Sequence, residues 1–376
     1  MQDIADALAV SRATVDRVLN GRGRVSRETT DRILGKAQEL GYVPNLIARR
    51  LALHRSLKFG VVRPREPRRF FDLIGQGLER AGRELTGYGV GLIDFSHDHH
   101  DPAAQRETLG RVIDTELDGV VLVPSHKSDL DSLINHAVDL GISVVTLNTD
   151  APESLRHFHV GHDFYRSGRM AGELMARFLE DRESRRGTKM MRVAQLTGLW
   201  DATSRVERLD GFRASIAEFS RNIELSGPHI FSDTIEDAQT IAARLLDGPD
   251  PPDGFFSTSG DGHVAVAREL IKRGLSATVR NIGFDVDSHV TALMKRNAIH
   301  ATIDQAPYFQ GYHAIRLLHE HLATQPIGEG TKFYTRAEIL LRTNIEASEH
   351  TVNTAHHWLD VGASDRGNHR LVQEEL

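Results

Sequence analysis

The chain has 376 residues, of which 40% are hydrophobic and 26% charged, the balance of a globular protein with two or three domains. It has no cysteine, so disulfides and thiolate zinc sites are excluded. No apolar run is long enough for a transmembrane helix, and residues 1–12 lack the basic region and apolar core of a secretory signal. We therefore predict a cytoplasmic protein with no membrane partner.

The formal net charge of −6 is unevenly distributed along the chain. Residues 1–58 contain 11 Lys or Arg against six Asp or Glu and so carry +5, which leaves −11 for the remainder. A basic segment joined to an acidic body is typical of a protein in which one part meets phosphate and the other does not. A solvated basic face would be the simpler explanation if charge were the only signal.

The basic segment has the pattern of three short helices. Apolar residues at helical spacing predict a first helix over residues 4–8 and a second over Arg12–Leu19, which Ser11 caps. Ser26 is the expected cap of a third helix. Two short helices joined by a tight turn, with a third packed behind them, describe a helix-turn-helix domain.

The same segment resembles the DNA-binding head of the lac repressor (LacI/GalR) family. The resemblance is carried by IADALAVSRATVDRVLNG, then VSRETT, then GYVPNLIARRLA, within residues 4–52. It implies that the second helix lies in the major groove, and that the protein is a sequence-specific transcriptional regulator that acts as a repressor. Double-stranded operator DNA is therefore the expected partner.

In that comparison, base edges are read by three side chains of the second helix: Arg12, Ala13 and Arg17. Arginine can donate two parallel hydrogen bonds to guanine, and an alanine methyl can touch the methyl group of thymine. Asp16 stands where most family members have serine, and an acid would repel phosphate unless it orients a neighbouring arginine or accepts from cytosine. The sequence also begins at the first helix, so either weaker DNA binding or a start further upstream is expected.

Phosphate contacts and a hinge complete the predicted DNA interface. The resemblance assigns phosphate positioning to Thr14, Asn20, Ser26 and Thr29, with helix capping as the alternative role. Asn45 opens a stretch similar to the family's hinge helix, in which Leu51 takes the place of a leucine that wedges into the minor groove. Arg49 and Arg50 would contact phosphate beside it. The alternative for Leu51 is packing within its own domain.

From residue 57 onward, short apolar runs alternate with longer amphipathic stretches. This alternation predicts an α/β fold with parallel sheets flanked by helices, and the number of strands favours two lobes over one open sheet. The predicted strands are Lys58–Val62, Gly89–Phe95, Gly119–Pro124, Ser143–Leu147, His159–Gly161, Arg192–Thr197, Gly254–Thr258, Val279–Phe284 and His300–Ile303. The predicted domains are a head over residues 1–44, a hinge over 45–56, a two-lobed body over 57–345 and a polar tail over 346–376.

Ligands of parallel α/β sheets bind beyond the carboxyl ends of the strands. At these positions the chain has planar hydrogen-bonding side chains and a few aromatic ones, which suit the hydroxyl groups and apolar face of a small neutral sugar or polyol. Asp150 also lies at such a position, beside Asn148. The candidates are Phe70, Phe71, Asn148, Asp163, Trp200, Arg208, Ser259, Asp261, Asp285 and Gln305.

The body resembles the type I periplasmic sugar-binding fold, which this repressor family shares with ribose-binding proteins. VGHDFYRSGRMAGELM, RVERLDGFRASI, IGFDVD and TIDQAPYFQGYHAI are similar to four of its sequence elements. An Asn-Asp pair usual in the family is absent around residues 257–262, which leaves Ser259 and Asp261 as rival contacts. The resemblance implies ligand contacts from Asp163, Arg208, Asp285 and Gln305, and stacking on Phe70 and Phe71.

Each candidate also has a simpler structural role. Asp163 and Asp285 could cap the following helix, Arg208 could form a salt bridge between lobes, and Phe70 and Phe71 could belong to the core. For the whole protein, the alternative is a transport-type sugar-binding protein, which would have no use for a basic head. No nucleophile elbow or acid–base set indicates an enzyme, and the loop SHDHHD is a poor metal candidate. We expect a homodimer that needs no metal or cofactor.

Overall fold

The computed structural model divides the chain into two compact units. Met1–Ser56 cluster with His319–Pro326, and Leu57–Leu318 cluster with Ile327–Leu376. Among the described helices, none is long and apolar enough to cross a membrane. The structure describes residues 2–19, 26, 29–30, 32–33, 35–36, 56–65, 68–97, 102–124, 130–186, 190–198, 203–232, 234–324, 326–345 and 359–362.

The first unit contains the predicted pair of short helices, α1 (Gln2–Leu8) and α2 (Arg12–Leu19). The backbone N–H of Thr14 donates to Ser11 Oγ over 3.0 Å, so Ser11 caps α2 as predicted. In the same way, the N–H of Thr29 donates to Ser26 Oγ over 3.2 Å at the start of a third helical segment. The buried core of this unit includes Ile4, Ala5, Val15 and Ile33.

The second unit alternates strands with helices. The strands are β1 (Leu57–Pro64), β2 (Val90–His97), β3 (Gly119–Leu122), β4 (Ser143–Asn148), β5 (Phe158–His162), β6 (Met191–Thr197), β7 (Ile223–Ile230), β8 (Gly254–Ser257), β9 (Arg280–Phe284), β10 (Ala301–Asp304), β11 (Thr331–Thr335), β12 (Glu338–Leu340) and β13 (Leu359–Gly362). The helices are α3 (Arg68–Leu85), α4 (Pro102–Ile113), α5 (Asp131–Asp139), α6 (Phe164–Arg186), α7 (Thr203–Phe219), α8 (Ile235–Leu246), α9 (Gly260–Lys272), α10 (Ser288–Lys295) and α11 (Pro307–Ala323).

These strands form two sheets, and each sheet is the centre of one lobe. The first sheet has the order β13-β11-β5-β4-β3-β1-β2, and the second has the order β12-β10-β9-β8-β6-β7. All pairs are parallel except β11 with β13 and β10 with β12. Central strands such as β3 and β4 are buried along their whole length, because helices cover both faces of a parallel sheet. The predicted two-lobed α/β body is confirmed.

Four strands were missed by the sequence patterns. Strand β7 contains Gly227 and Pro228, residues that normally interrupt a strand but are tolerated at a sheet edge, where β7 lies. Strands β11 and β12 are short and mixed in polarity. The predicted polar tail over residues 346–376 includes one described strand that the sequence did not indicate, because β13 (Leu359–Gly362) pairs along β11 as an edge strand. Strand β13 is held by backbone hydrogen bonds, which leave no apolar pattern in the sequence, so the sequence could not indicate it.

Close helix packing in the first lobe depends on two glycines. A Cβ on Gly77 of α3 would lie 1.9 Å from the carbonyl oxygen of Tyr308 on α11. A Cβ on Gly311 of α11 would lie 2.2 Å from the carbonyl oxygen of Ile74 on α3. Any side chain at either position would therefore separate the helices. This contact places α11 in the first lobe.

The chain crosses between the two sheets at three fully described connections. The first crossing runs from β5 through Asp163 into α6, which packs with the core of the second sheet. The second runs from β10 through residues 305–306 into α11, and the third from β11 through residues 336–337 into β12. A further connection, from β12 to β13, passes through residues outside the described part. The three crossings meet beside the carboxyl ends of the strands.

Candidate functional site

Three predicted contacts form one hydrogen-bonded chain beyond the strand ends of the second lobe. Arg208, on α7, donates from Nη2 to Oε1 of Gln305 over 2.5 Å. Gln305 follows β10 and donates from Nε2 to Oδ1 of Asp285, which follows β9, over 2.5 Å. Arg208 and Gln305 are 97 residues apart in the sequence. The fold therefore assembles a single polar cluster from separate sequence elements.

The Arg208 guanidinium is buried and held in one orientation. Its plane lies between the rings of Phe164, 4.9 Å from the ring centroid, and Phe284, 4.1 Å away. Its Nη1 donates to the carbonyl of Thr258 over 2.6 Å, and burial lowers its pKa to about 10, so the group stays charged at neutral pH. Its Nε is buried and has no partner among the described residues. Arg208 therefore keeps its Nε–H as a donor for a ligand.

Asp285 occupies a conformation that suits binding better than capping. Its backbone is in the left-handed region, with φ of 73°, and the following helix α10 is instead capped by Asp287, whose Oδ1 accepts from Val290 N over 2.8 Å. Burial raises the pKa of Asp285, against the opposing effect of Arg208 and the hydrogen bond from Gln305. Asp285 therefore does not cap the following helix, α10, which was its alternative role.

The remaining polar candidates of the second lobe lie at helix starts. Asp163 does cap a helix, because its Oδ1 accepts from the N–H of Arg166 over 2.8 Å at the start of α6. Ser259 precedes α9, and its hydroxyl oxygen is buried with no partner among the described residues. Asp261 lies in the first turn of the same helix. Of the two rivals, Ser259 has the group that lacks a partner.

On the side of the first lobe, Asn148 ends β4 in the left-handed region, with φ of 63°. Its Nδ2 donates to Oε1 of Gln310 over 3.1 Å, and its side chain is buried. Phe70 and Phe71 contact each other edge to face at 5.4 Å between ring centroids. Phe71 belongs to the core, whereas Phe70 is half-buried, so Phe70 is the ring with surface left for a ligand. Trp200 lies outside the described residues.

The head presents part of the predicted DNA interface. Arg12 is exposed on α2, and Ala13, Asp16 and Arg17 lie on the same helix. The hydroxyl groups of Thr14 and Thr29 are each 2.8 Å from the capping serine three residues earlier. Capping and phosphate contact are compatible, since a hydroxyl oxygen accepts from the backbone and still donates outward. The predicted residues outside the described part are Asn20, Asn45, Arg49, Arg50 and Leu51.

Several residues of the cluster were missed by sequence reasoning. Phe164 lies inside VGHDFYRSGRMAGELM and Phe284 inside IGFDVD, so their rings could have been found as neighbours of Asp163 and Asp285. Gln310 has no such signal, because only the contact between α11 and the strand ends shows that it bonds with Asn148. Residues 98–101 of the histidine-rich loop lie outside the described residues.

Known proteins resemble the chain along most of its length. The ribose operon repressor of Bacillus subtilis (strain 168) is 26% identical over 334 residues, covering 88% of this chain and 93% of that protein. A glucose-galactose binding protein from Geobacillus stearothermophilus has a TM-score of 0.67 at 24% identity, covering 77% of this chain and 99% of that chain. A solute binding protein from Burkholderia graminis C4D1M, in complex with D-arabinose, has a TM-score of 0.69 at 21% identity, covering 77% and 97%.

Two family models match consecutive parts of the sequence. Residues 1–45 match the bacterial regulatory proteins of the lacI family. Residues 59–326, which are most of the chain, match the periplasmic binding protein domain. Residues 46–58, which include most of the predicted hinge, lie between the two matches. The chain belongs to the periplasmic binding protein domain family over its body, and its head matches the lacI family of bacterial regulatory proteins.

Proposed function

We propose that this protein is a DNA-binding repressor whose affinity for its operator is controlled by a small neutral sugar or polyol bound between the two lobes. The proposal rests on one observation: the same chain has a lacI-type head and the Arg208–Gln305–Asp285 cluster. The related ribose operon repressor, as its name states, regulates a sugar operon. The protein works in the cytoplasm as a homodimer, placing two heads on a pseudo-palindromic operator.

The chemistry of the cluster favours a polyhydroxylated ligand without net charge. Arg208 and Gln305 provide donors, Asp285 provides acceptors, and Phe70 offers a half-buried ring for an apolar sugar face. The Asp285 carboxylate would repel a phosphate group placed beside Arg208. Hydroxyl groups, which donate and accept, match both sides of the cluster.

In this mechanism, sugar binding changes the angle between the lobes and so biases the hinge segments that hold the heads on DNA. We expect sugar binding to lower the affinity for the operator and so to release it. Coupling between ligand and DNA sites in such systems is about 1–3 kcal/mol. Arg12, Ala13 and Arg17 read bases, with Asp16 orienting one of the arginines. In the hinge stretch that Asn45 opens, Leu51 wedges into the minor groove and Arg49 and Arg50 contact phosphates beside it.

The test begins with selection of bound duplexes from a random-sequence DNA pool. Affinity for the selected duplex is then measured alone and with D-ribose, D-arabinose, D-allose, D-glucose and D-galactose. We expect tight binding that one sugar weakens, and loss of that response in Arg208→Gln with DNA binding retained. No sequence-selective binding in any condition would overturn the repressor function and favour the transport-type alternative. Operator binding that no sugar alters would overturn the ligand control.

A further inference from the structure

One hydroxyl group lies at or beside the three fully described crossings between the lobes. Thr335 ends β11, and the third crossing begins directly after it. Its Oγ1 donates to the carbonyl of Gln305 over 2.8 Å, in the second crossing. The same Oγ1 is 3.2 Å from the carbonyl of Gly161, two residues before Asp163 of the first crossing. A hydroxyl has one proton, so this donation is shared between two acceptors.

The Gln305 carbonyl is also joined to the first lobe's side of the cleft. It accepts a second hydrogen bond from Nε2 of Gln310 over 2.9 Å, while Oε1 of Gln310 accepts from Asn148. The side chain of Gln305 meanwhile contacts Arg208 and Asp285 on the second lobe's side. Gln305 therefore joins the candidate ligand contacts of both lobes to the crossings.

The surroundings make this junction stiff. Thr335 is 4% exposed and Gln310 is fully buried, so water cannot replace a hydrogen bond that is broken there. Thr335 ends a strand of the first sheet, whereas Gln305 directly follows β10 of the second sheet, so a rotation of one lobe against the other changes the distance between them. Such a rotation therefore strains or breaks the shared hydrogen bond of Thr335.

We propose that Thr335 is a positioning residue that holds the three crossings in register and so transmits ligand binding at Gln305 to the angle between the lobes. It acts through the Gln305 carbonyl and does not itself contact the ligand. The transmission to DNA rests on the proposed function above. The stiffening of the crossings does not, because it is a property of the body alone.

The test compares Thr335→Val, which replaces the hydroxyl by a methyl of similar size, with two controls. Thr335→Ser keeps the hydroxyl. Thr331→Val lies on the same strand, but the Thr331 hydroxyl donates to Gly328 over 2.6 Å, outside the crossings. In amide hydrogen exchange of the full chain without ligand, Thr335→Val should raise exchange about three-fold or more at residues 161–163 and 305–306. Thr335→Ser should match the wild type, and Thr331→Val should change exchange only near residue 328.

The second measurement is the ratio of operator dissociation constants with and without D-ribose, or with whichever sugar of the panel raises the Tm most. Thr335→Val should reduce this ratio about five-fold, with sugar affinity in the absence of DNA changed less than two-fold or so. A Thr335→Val protein with wild-type exchange at all crossings, or with the same ratio as Thr331→Val, overturns the proposal. A wild-type ratio of one overturns the proposed function instead, and the exchange measurement still decides the role of Thr335.

Discussion

Two aspartates follow strands at the same kind of position, and their surroundings are opposite. Asp150 follows β4 and accepts hydrogen bonds from Thr146, from the backbone of Ala151 and from both Nε and Nη2 of Arg156. Asp285 follows β9 and accepts from the Gln305 side chain and, over a longer 3.3 Å, from the N–H of Gly260. One carboxylate is saturated by the protein, and the other is not.

The pKa values of the two carboxyl groups are shifted in opposite directions. Burial would raise the pKa of Asp150, but His159 and the hydrogen-bonded Arg156 hold that pKa well below its ordinary value. Burial raises the pKa of Asp285, and its partners do not reverse the shift. A saturated carboxylate stabilises the fold, whereas an incompletely paired one is available to a ligand. The degree of pairing thus separates a structural aspartate from a candidate binding aspartate.

The largest effect should come from Asp150→Ala. Removal of this carboxylate leaves the Arg156 charge buried and unpaired, which should lower the free energy of unfolding by about 3–5 kcal/mol in urea titrations. Sugar affinity of the folded protein should not change. Asp247→Ala is the control, since the carboxylate of Asp247 pairs with Arg273 in water and its loss should have a far smaller effect. Equal effects of the two variants would refute the structural role of the Asp150 cluster.

Asp285→Asn should show the reverse pattern. A charged acceptor for the ligand is lost, so sugar affinity measured by calorimetry should weaken by about 1.5–3 kcal/mol. The free energy of unfolding near neutral pH should equal or exceed that of the wild type, because ionisation of Asp285 is unfavourable in the fold. Destabilisation as large as that of Asp150→Ala would contradict the contrast.

The pH dependence of the two variants should differ in sign. The folded pKa of Asp150 lies below its ordinary value of 3.8, so its stabilisation is present above pH 3.8 and is lost as the pH falls through the folded pKa. The folded pKa of Asp285 is raised, so its ionised form costs stability above that pKa and the cost disappears on acidification. In urea midpoints from about pH 7 to about pH 2, the surplus of Asp285→Asn should shrink as the pH falls through the folded pKa of Asp285, whereas the deficit of Asp150→Ala should stay constant down to about pH 3.8 and shrink below it. If the loss of stability in Asp150→Ala increased at low pH, this expectation would be contradicted.

The smallest effect should come from Ser259→Ala. Its buried hydroxyl has no partner among the described residues, so stability should not fall, whereas sugar affinity should weaken by about 1 kcal/mol. Ser215→Ala is a matched control, because Ser215 also has a buried hydroxyl with no described partner, but on α7 within the second lobe's helix packing. If both variants bind sugar equally well, Ser259 is not a ligand contact.

Much of this architecture could be predicted from local patterns. The periodicity of residues 12–19, with Ser11 before them, was sufficient for α2 and its cap, because capping involves only neighbouring residues. The apolar runs of central strands such as β3 and β4 were equally clear, because both faces of a parallel sheet are buried. The edge strands β7 and β13 escaped, since an edge strand need not be apolar.

The sequence by itself determined the head, the two-lobed body and the strand-end aspartates as candidates. Only the tertiary structure decided between Asp150 and Asp285, because the pairing of a carboxylate depends on how the connections between strands fold: Arg156, six residues away, folds back onto Asp150, whereas Gln305 reaches Asp285 from beyond the next strand. It likewise placed the hydroxyl of Thr335 beside the carbonyls of Gly161 and Gln305. Hydrogen bonds between distant segments have no periodicity in the sequence, so they emerge only when the sheets assemble.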